Sequence, residues 1–68
     1  MKLQFIMNNG TTIAMDPPPD FNFLVTCMSI RAAGYFMNGT IYIDHSKVNA
    51  IVFGDQQVEM KPSGVTMQ

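Results

Sequence analysis

Charge is scarce in this 68-residue chain. It has four cations and five carboxylates, 13% of residues, while 47% are hydrophobic; a soluble domain ordinarily has about 25% charged residues. The cations Lys2, Arg31, Lys47 and Lys61 are scattered. Binding the phosphates of duplex nucleic acid needs a clustered basic footprint, so that partner is excluded. One cysteine and one histidine are present. No intrachain disulfide can form, and four zinc ligands cannot be assembled. No metal or cofactor is expected. No apolar run approaches the roughly 18 residues of a membrane span. Met1-Lys2-Leu3-Gln4-Phe5 runs straight into strand pattern and lacks the apolar core of a signal peptide. The expectation is a cytoplasmic protein without membrane contact.

Catalytic groups are short as well. Asp16, Asp20, Asp44 and Asp55 fall at turns, strand ends or a cap, and Glu59 is the polar member of an alternating strand. Gly10, Gly39 and Gly54 each belong to a hairpin signal, so no phosphate-cradling loop remains. An enzyme needs a convergent acid, base and stabilising group, and none is legible. Cys27 lies among apolar residues and reads as a small buried hydrophobe.

Two Asn-Gly dipeptides, Asn9-Gly10 and Asn38-Gly39, are present, each between apolar stretches. Both residues tolerate the positive φ of a tight hairpin. In the first, a three-residue loop Asn8-Asn9-Gly10 pairs Phe5 with Ile13 and Leu3 with Met15. It also sets Lys2 beside Asp16 on the other face. A two-residue loop would mix apolar and polar side chains, and a one-residue slip flips every side chain, so the three-residue loop is preferred. In the second, a two-residue Asn38-Gly39 turn would pair Phe36 with Ile41 and Tyr35 with Tyr42. Phe36 and Ile43 would point to the core.

Between them, Asp16-Pro17-Pro18-Pro19-Asp20 forms a stiff connector. With Asp20 as N-cap and Gly34 just past the end, a helix is predicted from about Phe21 to Ala33. Its polar residues form one thin stripe, Asn22, Thr26 and Ser29, and Arg31 is its only charge. The rest is apolar, unlike an ordinary surface helix with a single apolar stripe. One sheet can cover about half of such a helix, so the other half is expected to meet a subunit, ligand or partner.

After the polar turn Asp44–Lys47, Val48–Phe53 reads as a central strand apolar on both faces. Gly54-Asp55 is a third turn signal, and Val58–Met60 ends at Pro62. The predicted architecture is α+β. A ββαβ core with one or two further strands forms a curved antiparallel sheet of about five to six strands, with one helix on one face. A small β-barrel with a helix is the alternative. Residues 1–62 form one domain and 63–68 a flexible tail.

A chain this small that lacks disulfide and metal is expected to be stapled by oligomerisation. The candidate binding residues are Arg31, Tyr35, Met37, Tyr42, His45 and Lys47. Arg31 can pair with a carboxylate or phosphate in an apolar wall, or simply favour the helix C-terminus. Tyr35, Met37 and Tyr42 would form an aromatic and adaptable face. His45 and Lys47 could orient an anion or serve only as turn residues. The expected function is a non-enzymatic protein-binding module of inhibitor or adaptor type, acting as a homo-oligomer. The general look is similar to small accessory proteins of phages and mobile elements. The alternative is a protein that binds or sequesters a nucleotide or other small anionic ligand in pockets between subunits.

Overall fold

The computed structural model describes residues 1–60. Pro62 and the tail expected over 63–68 lie outside the described residues. The elements are β1 (Leu3–Met7), β2 (Thr12–Met15), α1 (Phe23–Ala33), β3 (Tyr35–Asn38), β4 (Ile41–Asp44), a 3₁₀ turn (His45–Lys47), β5 (Val48–Phe53) and β6 (Gln56–Glu59). This is an α+β fold without a closed barrel. The six strands divide between two antiparallel sheets, one of four strands in the order β2-β1-β5-β6 and the other the β3-β4 hairpin. Among the described residues no helix is long and apolar enough to cross a membrane.

The first hairpin takes the register its apolar pattern demands. Leu3 faces Met15 and Phe5 faces Ile13, while the Met7 N–H donates to the Thr11 carbonyl (2.8 Å). Gly10 supplies the left-handed residue of the loop, at φ 90°. On the other face Lys2 Nζ lies 2.7 Å from an Asp16 carboxylate oxygen. Both side chains are largely exposed, so the pair marks the register more than it stabilises the fold.

β5 lies between β1 and β6, as expected of a strand apolar on both faces. Ile6 faces Ala50, but Met7 faces Val48, so β5 carries a bulge at Asn49. The extra residue moves Val48 onto the core side with Ile51, and both are almost fully buried. The Asn49 carbonyl accepts the Met60 N–H at 2.7 Å.

The helix starts later than expected. Asp20 does not cap it; Asp20 sits at φ 57°, a left-handed turn that aspartate tolerates. Asn22 is the N-cap, its side-chain oxygen accepting the Val25 N–H (3.1 Å). Phe21 instead packs edge-on against Phe53, with ring centroids 4.9 Å apart. The C-terminus is as predicted, with Gly34 at φ 89° and its N–H donating to the Ile30 carbonyl (2.8 Å).

Phe23, Cys27 and Ile30 are the buried helix stripe. Phe23 stacks on Phe53 of β5, and Phe36 of β3 lies 5.1 Å from Phe5 of β1. Helix and hairpin therefore lie over one face of the four-stranded sheet, forming a second layer. Leu3, Phe5, Ile30, Val48 and Ile51 are the largest fully buried side chains of the core between them. Each such burial is worth about 1.5–3 kcal/mol.

The second hairpin corrects the predicted pairing. Phe36 faces Ile43, Met37 faces Tyr42 and Asn38 faces Ile41, so the loop is Gly39-Thr40. Gly39 has φ 63° and no other residue of this loop has positive φ. That fits the turn with glycine in its first central position, not the one that needs positive φ at both. The β5–β6 hairpin uses the same chemistry, with Gly54-Asp55 between Phe53 and Gln56.

Candidate functional site

The helix turns its buried stripe inward and leaves Leu24, Val25 and Met28 outward, each more than half exposed. The β3-β4 hairpin does the same. Phe36 and Ile43 point in, whereas Tyr35, Met37 and Tyr42 point out, with Met37 59% and Tyr42 61% exposed. Strand alternation requires this once one face is committed to the core. Tyr35 and Tyr42 are diagonal neighbours across the pair, and their rings stack with centroids 5.6 Å apart and planes 14° apart. Stacked rings beside an unbranched methionine make a rigid aromatic platform with an adaptable rim. Asp44, paired with Tyr35 across the hairpin, is the charged side chain that borders this face, and Tyr35, Met37, Thr40 and Tyr42 are themselves uncharged.

Arg31 is placed elsewhere. Its Nη2 donates to the Glu59 backbone carbonyl at 2.7 Å. This is a charge-assisted bond from the last helical turn to the end of β6, and it fastens the second layer to the sheet. Leu24, Met28 and Arg31 share one flank of the helix by their spacing.

His45 and Lys47 belong to the 3₁₀ turn that Asp44 caps. An Asp44 carboxylate oxygen accepts both the Ser46 N–H (3.0 Å) and the Ser46 hydroxyl (2.9 Å). These bonds, with smaller contributions from Lys47 and His45, hold the Asp44 carboxyl below its ordinary pKa. The His45 N–H donates to the Gly34 carbonyl (3.0 Å). Its ring Nε2 is buried with no hydrogen-bond partner among the described residues, while Lys47 is exposed. The Lys47 carbonyl and the Ser46 carbonyl accept from the Asn8 backbone and side-chain N–H groups, at 2.9 and 3.0 Å. The turn is thereby tied to the first hairpin loop.

Lys47 borders a cleft of about 240 Å³ with Met7, Asn8, Asn9, Thr11 and Ile13. A second cleft, of about 360 Å³, is lined by Phe21, Asn22, Phe23, Leu24, Phe53 and Gln56. Neither contains Arg31 or a tyrosine. The candidates thus separate into three places, with the tyrosines and Met37 on the outer hairpin face, Arg31 at the β6 end, and Lys47 at the first loop. Sequence reasoning missed the cleft beside Ile13, since its walls come from segments about forty positions apart.

Cys27 is buried, and desolvation raises its thiol pKa although the Arg31 charge pulls the other way. A thiol held protonated is a poor nucleophile. Among the described residues no group of three His, Cys, Asp or Glu side chains could hold a metal ion. No protein-family model, curated protein sequence or solved structure matches the chain.

Proposed function

We propose that this chain is a non-enzymatic protein-binding module that works as a homo-oligomer and engages its partner through the outer face of the β3-β4 hairpin. The observation that supports this is the exposed aromatic and methionine platform of Tyr35, Met37 and Tyr42, bordered by the Asp44 carboxylate, together with the exposed Leu24, Val25 and Met28 of the helix. Exposed apolar surface of this kind marks interaction sites in small soluble domains. Tyrosine and methionine are also enriched at interfaces. Arg31 lines neither of the two clefts and is engaged by the Glu59 carbonyl, which favours a surface contact over an enclosed ligand. Among the described residues no convergent acid, base and stabilising group supports catalysis, and burial keeps the Cys27 thiol protonated, which disfavours a nucleophilic role.

The test is a pull-down from a native lysate, in parallel with native mass spectrometry of the purified chain. Met37→Asp and Tyr42→Asp each place a carboxylate in the platform without touching the core. Both should lose a partner that the wild type captures, while the oligomer persists. Undiminished capture of the same partner by both variants would refute the proposal.

A further inference from the structure

Every open sheet has two edges, and here one is guarded while the other is bare. The β5–β6 hairpin closes with Phe53 facing Gln56, so backbone groups alternate and those of Gln57 and Glu59 point away from β5. Of these, the Glu59 carbonyl is occupied by the Arg31 guanidinium at 2.7 Å. Glu59 also carries a charge on this short strand, and its carboxylate accepts from the Gln57 amide at 2.9 Å. Charge and an occupied carbonyl are the means by which proteins protect an edge from further pairing.

β2 has no such protection. Met7 and Thr11 are a hydrogen-bonded pair, so alternation leaves the N–H and C=O groups of Thr12 and Ala14 pointing away from β1. Both residues are exposed. The run Thr11-Thr12-Ile13-Ala14-Met15 contains no charge, no proline and no bulge. Beside it, on the core side, opens the cleft of about 240 Å³ floored by Met7 and Ile13.

We infer that β2 is the self-association edge and that its occupant is β2 of a second copy, antiparallel about a two-fold axis through Ile13. This deepens the proposed function and rests on its homo-oligomer part. The register is self-complementary, because Thr12 of each copy faces Ala14 of the other, and each such pair exchanges both backbone bonds. An isologous contact sets a surface against itself, so a charge near the axis would meet its own kind. The absence of charge from Thr11 to Met15 removes that penalty. The Ile13 side chains meet across the axis on the core side, each beside the other copy's cleft. The two four-stranded sheets become one continuous sheet. The outer hairpin face, with Tyr35, Met37 and Tyr42, stays free for a different partner.

Ala14→Pro tests this directly. The Ala14 N–H faces the open edge, so proline there costs no bond to β1, and proline is tolerated on such an edge. It deletes one intermolecular donor from each copy. Thr12→Lys is the second variant, introducing like charges beside the axis, and Gln57→Lys on β6 is the control. The readouts are light scattering and native mass spectrometry over a dilution series, with far-UV circular dichroism to confirm folding. The wild type should dimerise. Ala14→Pro and Thr12→Lys should each raise the dimer dissociation constant at least about tenfold, and Gln57→Lys should leave it unchanged. If Ala14→Pro does not fold, Thr12→Lys decides. A wild type that stays monomeric up to about 1 mM would overturn both this inference and the oligomer in the proposed function. An oligomer indifferent to Thr12→Lys and to a folded Ala14→Pro would overturn this inference alone.

Discussion

Replacing Gly39 and Asn38 separately by alanine measures which residues turn the second hairpin. Gly39 has φ 63°, and a Cβ built on it would meet nothing within 4 Å. The whole cost of Gly39→Ala is therefore backbone strain, about 1–2 kcal/mol for an L-residue held left-handed. In a domain of 60–100 residues each kcal/mol moves Tm by about 4–8 °C, so the expected fall is about 4–16 °C. Asn38 does not have positive φ, and its amide touches only Met15 Sδ, at 3.9 Å. So weak a contact is worth less than about 1 kcal/mol, and Asn38→Ala should stay within a few degrees of wild type. Gly54→Ala should match Gly39→Ala. Gly54 has φ 64°, and the atoms its Cβ would crowd belong to the flexible, exposed Met1 side chain. The assay is thermal unfolding followed by circular dichroism at one protein concentration, since association shifts Tm. If Asn38→Ala falls as far as Gly39→Ala, Asn38 is itself left-handed, and both the loop and the pairing of Phe36 with Ile43 are wrong.

Two further expectations concern the core and the response to acid. Ile51 is fully buried opposite Phe5, so Ile51→Ala should cost about 2–5 kcal/mol of the roughly 3–10 kcal/mol that a chain this size has in total; the urea midpoint should fall by a large fraction of its wild-type value, and a midpoint near wild type would refute the packing. The Asp44 carboxyl is held below its ordinary value first by the Ser46 N–H and then by the Ser46 hydroxyl, and Lys2 lowers Asp16 similarly. Because both folded values lie below the unfolded ones, the associated stabilisation is present above about pH 4 and is lost as pH falls through the folded values. Ser46→Ala should raise the Asp44 pKa part of the way back in a carbon-detected NMR titration; an unchanged value would mean the hydroxyl does not contribute.

The parts of this fold legible in the sequence are those that local chemistry decides. Asn8-Asn9-Gly10 and the apolar alternation on both sides of it permit one register, and the Lys2–Asp16 pair agrees with it. Gly34 marks the helix end because only a left-handed residue can follow it there. The second hairpin shows the limit. A slip of two residues leaves every side chain on its face, so the pattern placed Phe36 and Ile43 inward and Tyr35 and Tyr42 outward yet paired them wrongly. The helix start was misplaced because Asp20 and Asn22 are both capping residues, and only the packing of Phe21 on Phe53 selects the later one. The division of six strands between two sheets depends on contacts such as Phe5 with Ile51, which have no local signature. Of the candidate site residues, the exposed tyrosine platform follows from alternation alone. The bond from Arg31 to the Glu59 carbonyl joins residues 28 positions apart and could not be read from either segment.

The strand order β2-β1-β5-β6 also sets a timetable. Of the described elements β1 is made before the others, but one of its two sheet neighbours is β5, so Leu3 and Phe5 are not enclosed until Val48–Phe53 has been made. At about 5–20 residues per second that interval lasts roughly 2–9 s. Throughout it the first hairpin lacks the neighbour that covers its inner border, and a lone two-stranded hairpin is at best marginally stable. The polyproline connector and the helix follow in that window, and neither can substitute for β5 in the ladder. Completion of the four-stranded sheet thus waits until β5 has been made. A chain cut before Val48 would leave the β1 border open as well as the β2 border.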